Sequence, residues 1–306
     1  MKRLLLLLLS TPIFIIGYAQ EIKVSNGSIV SFKDFPSKYV AARNVDVWLP
    51  DGYTTKKRYA VLYMHDGQML FDSTNNWAHQ EWGVDETMGR LLADKKIKDC
   101  IVVGVWNSGA QRHTDYFPQK PFEALTQYQR DTLYKAKRGN NASIFSGTVH
   151  SDKYLAFLVK ELKPFIDSAF SVKKDRANTF IAGSSMGGLI SMYAICEYPD
   201  VYGGAACLST HWPGIFTNIN NPIPDAFLYY LSKHMPSSKN HKLYFDFGTK
   251  TLDTLYQPHQ TRADAIIRAG GYNDSNFMTK MFEGASHNEQ SWAKRLEIPV
   301  LFLLKK

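Results

Sequence analysis

The stretch Phe180–Ala194, FIAGSSMGGLISMYA, decides how the rest of the chain is read. An apolar strand pattern runs into Gly183-Ser184-Ser185-Met186-Gly187, which fits G-x-S-x-G with Ser185 at its centre, and a helical pattern follows directly. A serine projecting from so tight a strand-to-helix turn sits on a strained backbone, and the two chain segments come too close for large side chains. Gly183, Gly187 and Gly188 meet that demand, so Ser185 is the candidate nucleophile. Ser184 is one residue early and would be turned away from the cleft. The bland alternative is a glycine-rich helix start with an ordinary serine, against which stand the strand before, the helix after and the extra glycine.

Outward from this turn the chain alternates short apolar runs with longer amphipathic stretches, the arrangement that builds a mostly parallel sheet covered by helices. Strands are predicted at NVDVWL (44–49), YAVLYMH (59–65), CIVVGV (100–105), NTFIAG (178–183), GAACLS (204–209), KLYFDF (242–247) and NFMTKMF (276–282). Helices are predicted at roughly 80–93, 151–169, 188–198, 223–234 and 258–269, with a last one starting near Asn288. No repeat, low-complexity tract or Gly/Ser linker divides the chain, so a single domain over 20–306 is expected. Residues 107–150 are polar and irregular, and an insertion of that length reads as a functional loop or lid.

Composition narrows the class. Apolar residues at 44% and charged residues at 21% describe a globular protein with a large core and exclude disordered, collagenous and coiled-coil chains. Three cysteines, Cys100, Cys196 and Cys207, cannot form a disulfide framework, and none belongs to a Cys/His cluster of zinc-site spacing. No metal and no cofactor is expected. The opening MKRLLLLLLSTPIFIIGYAQ joins a basic start (Lys2, Arg3) to an apolar run and small residues near Ala19, which reads as a secretory signal over 1–19 cut after Ala19. An uncleaved anchor is the competing reading, but the run is short for a bilayer and broken by Ser10, Thr11 and Pro12. The expectation is a periplasmic or secreted protein with no stable membrane insertion. Losing Lys2 and Arg3 lowers the formal net charge from +8 to +6. The basic residues are scattered, so no nucleic-acid partner is expected.

A serine hydroxyl needs a base, and hydrolases with this elbow supply a histidine after the last strand, in the order Ser, Asp/Glu, His. Of nine histidines His287 fits best, in the turn EGASHNEQSW after NFMTKMF. His259 and His241 read as surface groups. His211, in STHWP after the strand that follows the elbow, is placed to line the cleft. The acid belongs on the loop after KLYFDF, where Asp246 and Asp253 compete. Asp246 falls inside the strand pattern and Asp253 lies five residues beyond Gly248, so Asp253 is preferred. Oxyanion donors are expected at the backbone N–H of Met186 and of a residue in His65-Asp66-Gly67-Gln68, with Gln68 preferred. A plain strand-end turn would also explain Asp66-Gly67.

These segments resemble the esterase family that includes feruloyl esterases, enterochelin-type siderophore esterases and S-formylglutathione hydrolases. The resemblance runs through FPSKYVAARNVDVWLPDGY (35–53), VLYMHDGQMLFD (61–72), EWGVDE (81–86), VVGVWNSGAQRHTDYFP (102–118), FIAGSSMGGLISMYA, EYPDVYGGAACLS (197–209) and the His287 turn. It implies an α/β-hydrolase fold with Ser185 as nucleophile and His287 as base. One departure stands out: related chains often carry the acid three residues after the glycine of the Gly-Thr motif, and Thr251 occupies that place here. Asp253 is therefore displaced, and a Ser/His pair without an acid stays open.

The loop NSGAQRHTDYFP follows a central strand and is expected to open over the site. Arg112 is expected either to pair with Asp115 or to meet an anionic or phenolic part of the substrate, with Trp106 and Tyr116 as flat apolar surface and His211 nearby. Trp77 and Trp82 are expected to pack under the loop after His65-Asp66-Gly67-Gln68. The expected activity is hydrolysis of short or aromatic carboxylic esters, an acetyl or feruloyl saccharide or a catecholate siderophore lactone. An acyltransferase with the same residues and an inactive binding protein on the same scaffold are the alternatives.

Overall fold

The computed structural model describes residues 22–76, 78–139 and 141–306; the candidate leader 1–19 and Trp77 lie outside them. Among the described residues the strands form one eight-stranded sheet. They are β1 (Ser28–Phe35), β2 (Arg43–Leu49), β3 (Ala60–His65), β4 (Cys100–Val105), β5 (Thr179–Ser184), β6 (Gly204–Leu208), β7 (Lys242–Gly248) and β8 (Phe277–Phe282), in the spatial order β1-β2-β4-β3-β5-β6-β7-β8. β1 and β2, and β2 and β4, pair antiparallel; every later pair is parallel. The central strands read apolar throughout because both faces are covered. Val61 and Tyr63 of β3 point into one cluster of the core, Leu62 and Met64 into the other. The seven predicted strands are all present. β1 escaped prediction because it is an edge strand whose SIVSFKDF is largely solvated and carries no apolar run.

The helices follow the pattern with local adjustments. α1 (Val84–Ala93) starts later than expected, after Gly83 at φ 58°. In the insertion, α2 (Arg112–Tyr116), α3 (Gln119–Glu123) and α4 (Gln127–Tyr134) replace the expected irregular loop. Phe117 and Phe122 pack on Phe145, and Phe117 also on Phe227, so this segment with Leu133 joins the main core. Its apolar residues are spaced too irregularly to reveal short helices by periodicity. The predicted helix at 151–169 is present as α5 (Ser151–Phe157), a π-helical turn (Leu158–Leu162) and α6 (Lys163–Ala169). Pro164, with no N–H to give, lies where the π turn ends. α7 (Met186–Glu197) is buried at every position from Met186 to Cys196. α8 (Ile223–His234), α9 (Gln257–Ala269), α10 (Glu289–Ala293) and α11 (Glu297–Leu304) complete the cover. Cys100, Cys196 and Cys207 are free and buried, and among the described residues no helix is long and apolar enough to cross a membrane.

The β5–α7 turn brings two backbone segments into direct contact beside the site. A Cβ on Gly183 would lie 2.7 Å from the backbone carbon of Gly187, and one on Gly188 would lie 3.0 Å from the Leu208 oxygen. Backbone atoms cannot swing aside as a flexible side chain can, so Gly183→Ala is expected to lower stability by about 1–3 kcal/mol through overpacking. Gly139→Ala, where an added Cβ meets nothing within 4 Å, is the matched control and should leave the thermal midpoint unchanged. A Gly183→Ala midpoint equal to that of the control would show that the turn has slack.

Candidate active site

The strands β3 to β8 run parallel, so the segments leaving their C-terminal ends gather at one edge of the sheet, the usual place for a site in an open α/β fold. Ser185 caps α7 with φ 58° and ψ −121°. A side chain that adopts a positive φ without being glycine costs on the order of 1–3 kcal/mol, and such residues collect at functional sites. Its backbone is pinned by a bond from its N–H to Leu208 O at 2.9 Å and by the His211 N–H donating to its oxygen at 3.2 Å.

His287 lies on the turn after β8. Its N–H donates to the Thr251 hydroxyl at 2.8 Å, and its Nδ1 is 2.5 Å from Asp253 Oδ1. The Thr251–Leu255 segment is a short 3-10 helix, entered with Thr251 at φ 52°, and this coil carries Asp253 back over the sheet edge. Thr251, which stands where relatives often carry the acid, thus holds the histidine's backbone while Asp253 meets its ring. Asp253 Oδ2 accepts from the Gly248 N–H at 2.5 Å and the Ser209 hydroxyl at 2.6 Å. Burial alone would raise the Asp253 carboxyl, but the bonds from His287, Ser209 and Gly248 hold it below its ordinary value. Asp246, the competing acid, is fully buried and turned to Arg295, whose Nη2 and Nε lie 2.9 and 3.2 Å from its two oxygens.

The oxyanion candidates meet across the same turn. Gln68 and Met186 each fall in the first turn of a helix, where an N–H has no intrahelical acceptor. The two segments touch: a Cβ on Gly187 would lie 3.3 Å from His65 Cβ and 3.4 Å from Asp66 Oδ2. Asp66 itself is at φ 58° and takes a forked pair from Arg112, with Nε and Nη2 both 2.7 Å away, plus Asn107 Nδ2 at 2.8 Å. Burial raises the Asp66 carboxyl and these donors more than reverse it, leaving it below its ordinary value. The Gln68 side chain accepts from the Asn107 N–H at 3.2 Å, tying the two loops together.

Several expectations about the substrate wall change. Arg112 pairs with Asp66 and not with Asp115, which is buried against Arg43 at 3.1 Å and His150 at 2.7 Å. The Arg112 side chain remains 27% exposed beside the site, its fork spent on the loop. Tyr116 offers no flat face to a ligand: it is fully buried, packs on His65 and Tyr154, and points its hydroxyl at the Asp66 N–H. His211 is likewise buried, with Nδ1 2.8 Å from the Tyr256 hydroxyl, so it stands behind the cleft. Trp106 is half-buried, its Nε1 on Asp46 and Lys33 over its ring. Trp82 packs on Trp292, and Trp292 stands edge-on to His287 at 5.0 Å. His241 is not a surface group: it is buried, with its ring nitrogens on the Ser237 and Pro199 carbonyls.

Two residues were missed from sequence. Tyr256 contacts the Ser185 hydroxyl, bonds His211 and stands edge-on to His287. Glu289 is half-buried near Asp66, His287 and Arg112, and burial raises its carboxyl. Tyr256 lies in no motif and reaches the site from the start of a helix that only folding brings there, whereas Glu289 stands two residues after His287 in the turn EGASHNEQSW and could have been found there.

The fold is that of an α/β-hydrolase, a mostly parallel sheet covered by helices, with Ser185, His287 and Asp253 gathered at one edge of it. The family model described as "Putative esterase" matches residues 39–298, and the chain belongs to that esterase family. Among its relatives, the uncharacterized protein YbbA of Bacillus subtilis (strain 168) is 22% identical over 172 residues, 56% of this chain and 58% of YbbA. An endo-1,4-beta-xylanase/feruloyl esterase of Xylanibacter ruminicola is 26% identical over 203 residues, 63% of this chain and 23% of that protein. The chain therefore spans little more than half the length of the first relative and under a quarter of the second. A solved ferulic acid esterase shares the fold, with a TM-score of 0.62 at 19% identity, covering 90% of this chain and 98% of that one.

Three buried histidines around the site predict an acid-sensitive fold. Burial lowers His65 and His113 to about 3 and His211 well below its ordinary value. The unfolded chain takes up these protons near pH 6.5 and the folded one does not until about pH 3, so stability falls as pH drops through that interval. Each such histidine contributes a slope of about 1.4 kcal/mol per pH unit. His113→Phe, in a pocket already lined by Phe117 and Phe145, should flatten the profile between pH 6 and 4.5 by about that amount. Denaturant titrations across this range check it, and a slope equal to wild type would mean that His113 already carries its proton when folded.

Proposed function

We propose that this chain is a carboxylic ester hydrolase that works through a covalent acyl-enzyme on Ser185. What carries the reading is the 2.5 Å bond between His287 Nδ1 and Asp253 Oδ1 beside a nucleophile-elbow serine at φ 58°. In this scheme Asp253 keeps the proton on Nδ1, so Nε2 is free to accept the Ser185 proton as Oγ attacks the ester carbonyl. The N–H groups of Met186 and Gln68 receive the oxyanion, and the Arg112–Asp66 fork keeps the Gln68 loop in place. His287 then passes its proton to the leaving alcohol, and water repeats the sequence in reverse to release the acid.

The substrate assigned is a short or aromatic acyl ester. Support comes from family membership and from relatives whose names include feruloyl and ferulic acid esterase. Trp106, Arg112 and Glu289 give the site a polar, charged rim with one aromatic face, poorly suited to a long aliphatic chain. We assign the enzyme to the periplasm or the exterior on the strength of the leader-like start.

Ser185→Ala should abolish hydrolysis of p-nitrophenyl acetate, with a loss on the order of 10⁶ in turnover, and leave the circular dichroism spectrum unchanged. Activity at a tenth of wild type would remove Ser185 from the mechanism. Among p-nitrophenyl esters of rising length, methyl ferulate, acetylated xylan and a tri-catecholate lactone, the highest kcat/KM is expected on a short or aromatic ester. A maximum on the longest aliphatic ester would overturn the substrate assignment.

A further inference from the structure

Behind the Asp253–His287 pair lies a buried cluster that the scheme above does not use. Ser209, just past the end of β6, is fully buried and held at φ 43°, a conformation that needs a reason in any residue but glycine. Its hydroxyl has three partners: Asp253 Oδ2 at 2.6 Å, Arg295 Nη2 at 2.8 Å and Trp292 Nε1 at 3.0 Å. Guanidinium and indole nitrogens can only donate, so both lone pairs of Oγ are taken. By elimination the single hydroxyl proton points at Asp253.

The donors that enforce this are themselves anchored. Arg295 forks onto Asp246, whose oxygens also accept from the Tyr244 hydroxyl at 2.8 Å and the Ser209 N–H at 3.2 Å. Trp292 is wedged between Trp82 and His287. We propose that Ser209, oriented by Arg295–Asp246 and Trp292, is a positioning residue for Asp253. With Gly248 it saturates Oδ2 and leaves Oδ1 to hold the Nδ1 proton of His287. Asp246, the other acid in this part of the sequence, thus serves the pair from behind. The inference rests on the Ser185–His287–Asp253 reading.

Removing the Ser209 proton leaves Asp253 without one of the two donors on Oδ2 and makes it a stronger acceptor toward the ring it holds. The groups facing His287 besides Asp253 are Tyr256, His211, Glu289 and Trp292; the substitution leaves the first three as they are and takes from Trp292, which is uncharged, only the acceptor of its Nε1. Ser209→Ala and Ser209→Gly both delete the hydroxyl, and the glycine also relieves the positive φ, so it folds even where alanine strains the turn. Both are expected to lower kcat about tenfold to a hundredfold with KM unchanged and to move the acid limb of kcat/KM upward. Arg295→Lys, which keeps the charge on Asp246 but loses the fork reaching Ser209, should move the limb the same way. Wild-type kcat and limb in Ser209→Gly, or a lower kcat with an unmoved limb, would overturn the proposal. Ser185→Ala assayed alongside separates the two claims: if it stays active the triad reading itself fails, and if it is dead while Ser209→Gly behaves as wild type only this inference fails.

Discussion

The β5–α7 turn can exist only because Gly183 and Gly187 let two backbones touch, and most of the site is placed by that contact. It holds Ser185 at φ 58°, where its side chain leaves the sheet edge and Met186 begins a helix with an unpaired N–H. The same contact presses Gly187 against His65 and Asp66, which sets the Gln68 loop opposite Met186. A methyl group at Gly183 would push on main-chain atoms that have no room to move, so Ser185, Met186 and the Gln68 loop stand or shift together.

Around this turn the fold spends buried charge in pairs. Asp66 with Arg112, Asp115 with Arg43, and Asp246 with Arg295 are ion pairs with little exposed surface, each completed by further donors. Burying a carboxylate is costly unless it is paired and hydrogen-bonded, and once the partners are in place breaking one leaves an uncompensated charge. Such pairs add little net stability, but they allow few alternative arrangements of the loops that carry them. Arg112 and Asp66 do this for the Gln68 loop, and Arg295 and Asp246 do it for the wall behind Asp253.

Much of this was legible in the chain. Central strands declare themselves because burial on both faces demands continuous apolar runs, and the elbow declares itself because its geometry admits only small residues. His287 could be chosen because the order of parts in such a fold leaves few places after the last strand. Edge strand β1 and the helices of 107–150 stayed hidden, since a half-solvated strand and helices of five to eight residues impose no clear period. Tyr116 and His211 were expected to face a ligand and instead lie beneath the surface, because a loop's sequence does not say which of its aromatic residues turn inward.

Residue types at close spacing, then, determined the sheet and the elbow and singled out Ser185, His287 and, by preference, Asp253 as candidates; these follow from local sterics and from chain order. Only the tertiary structure set Asp253 against His287 and Asp246 against Arg295, paired Arg112 with Asp66, and brought Tyr256, Ser209 and Arg295 to the candidate site. Those outcomes depend on which side chains from distant segments share a buried space, and pairing there is settled by three-dimensional distance and by the cost of leaving any donor or charge without a partner.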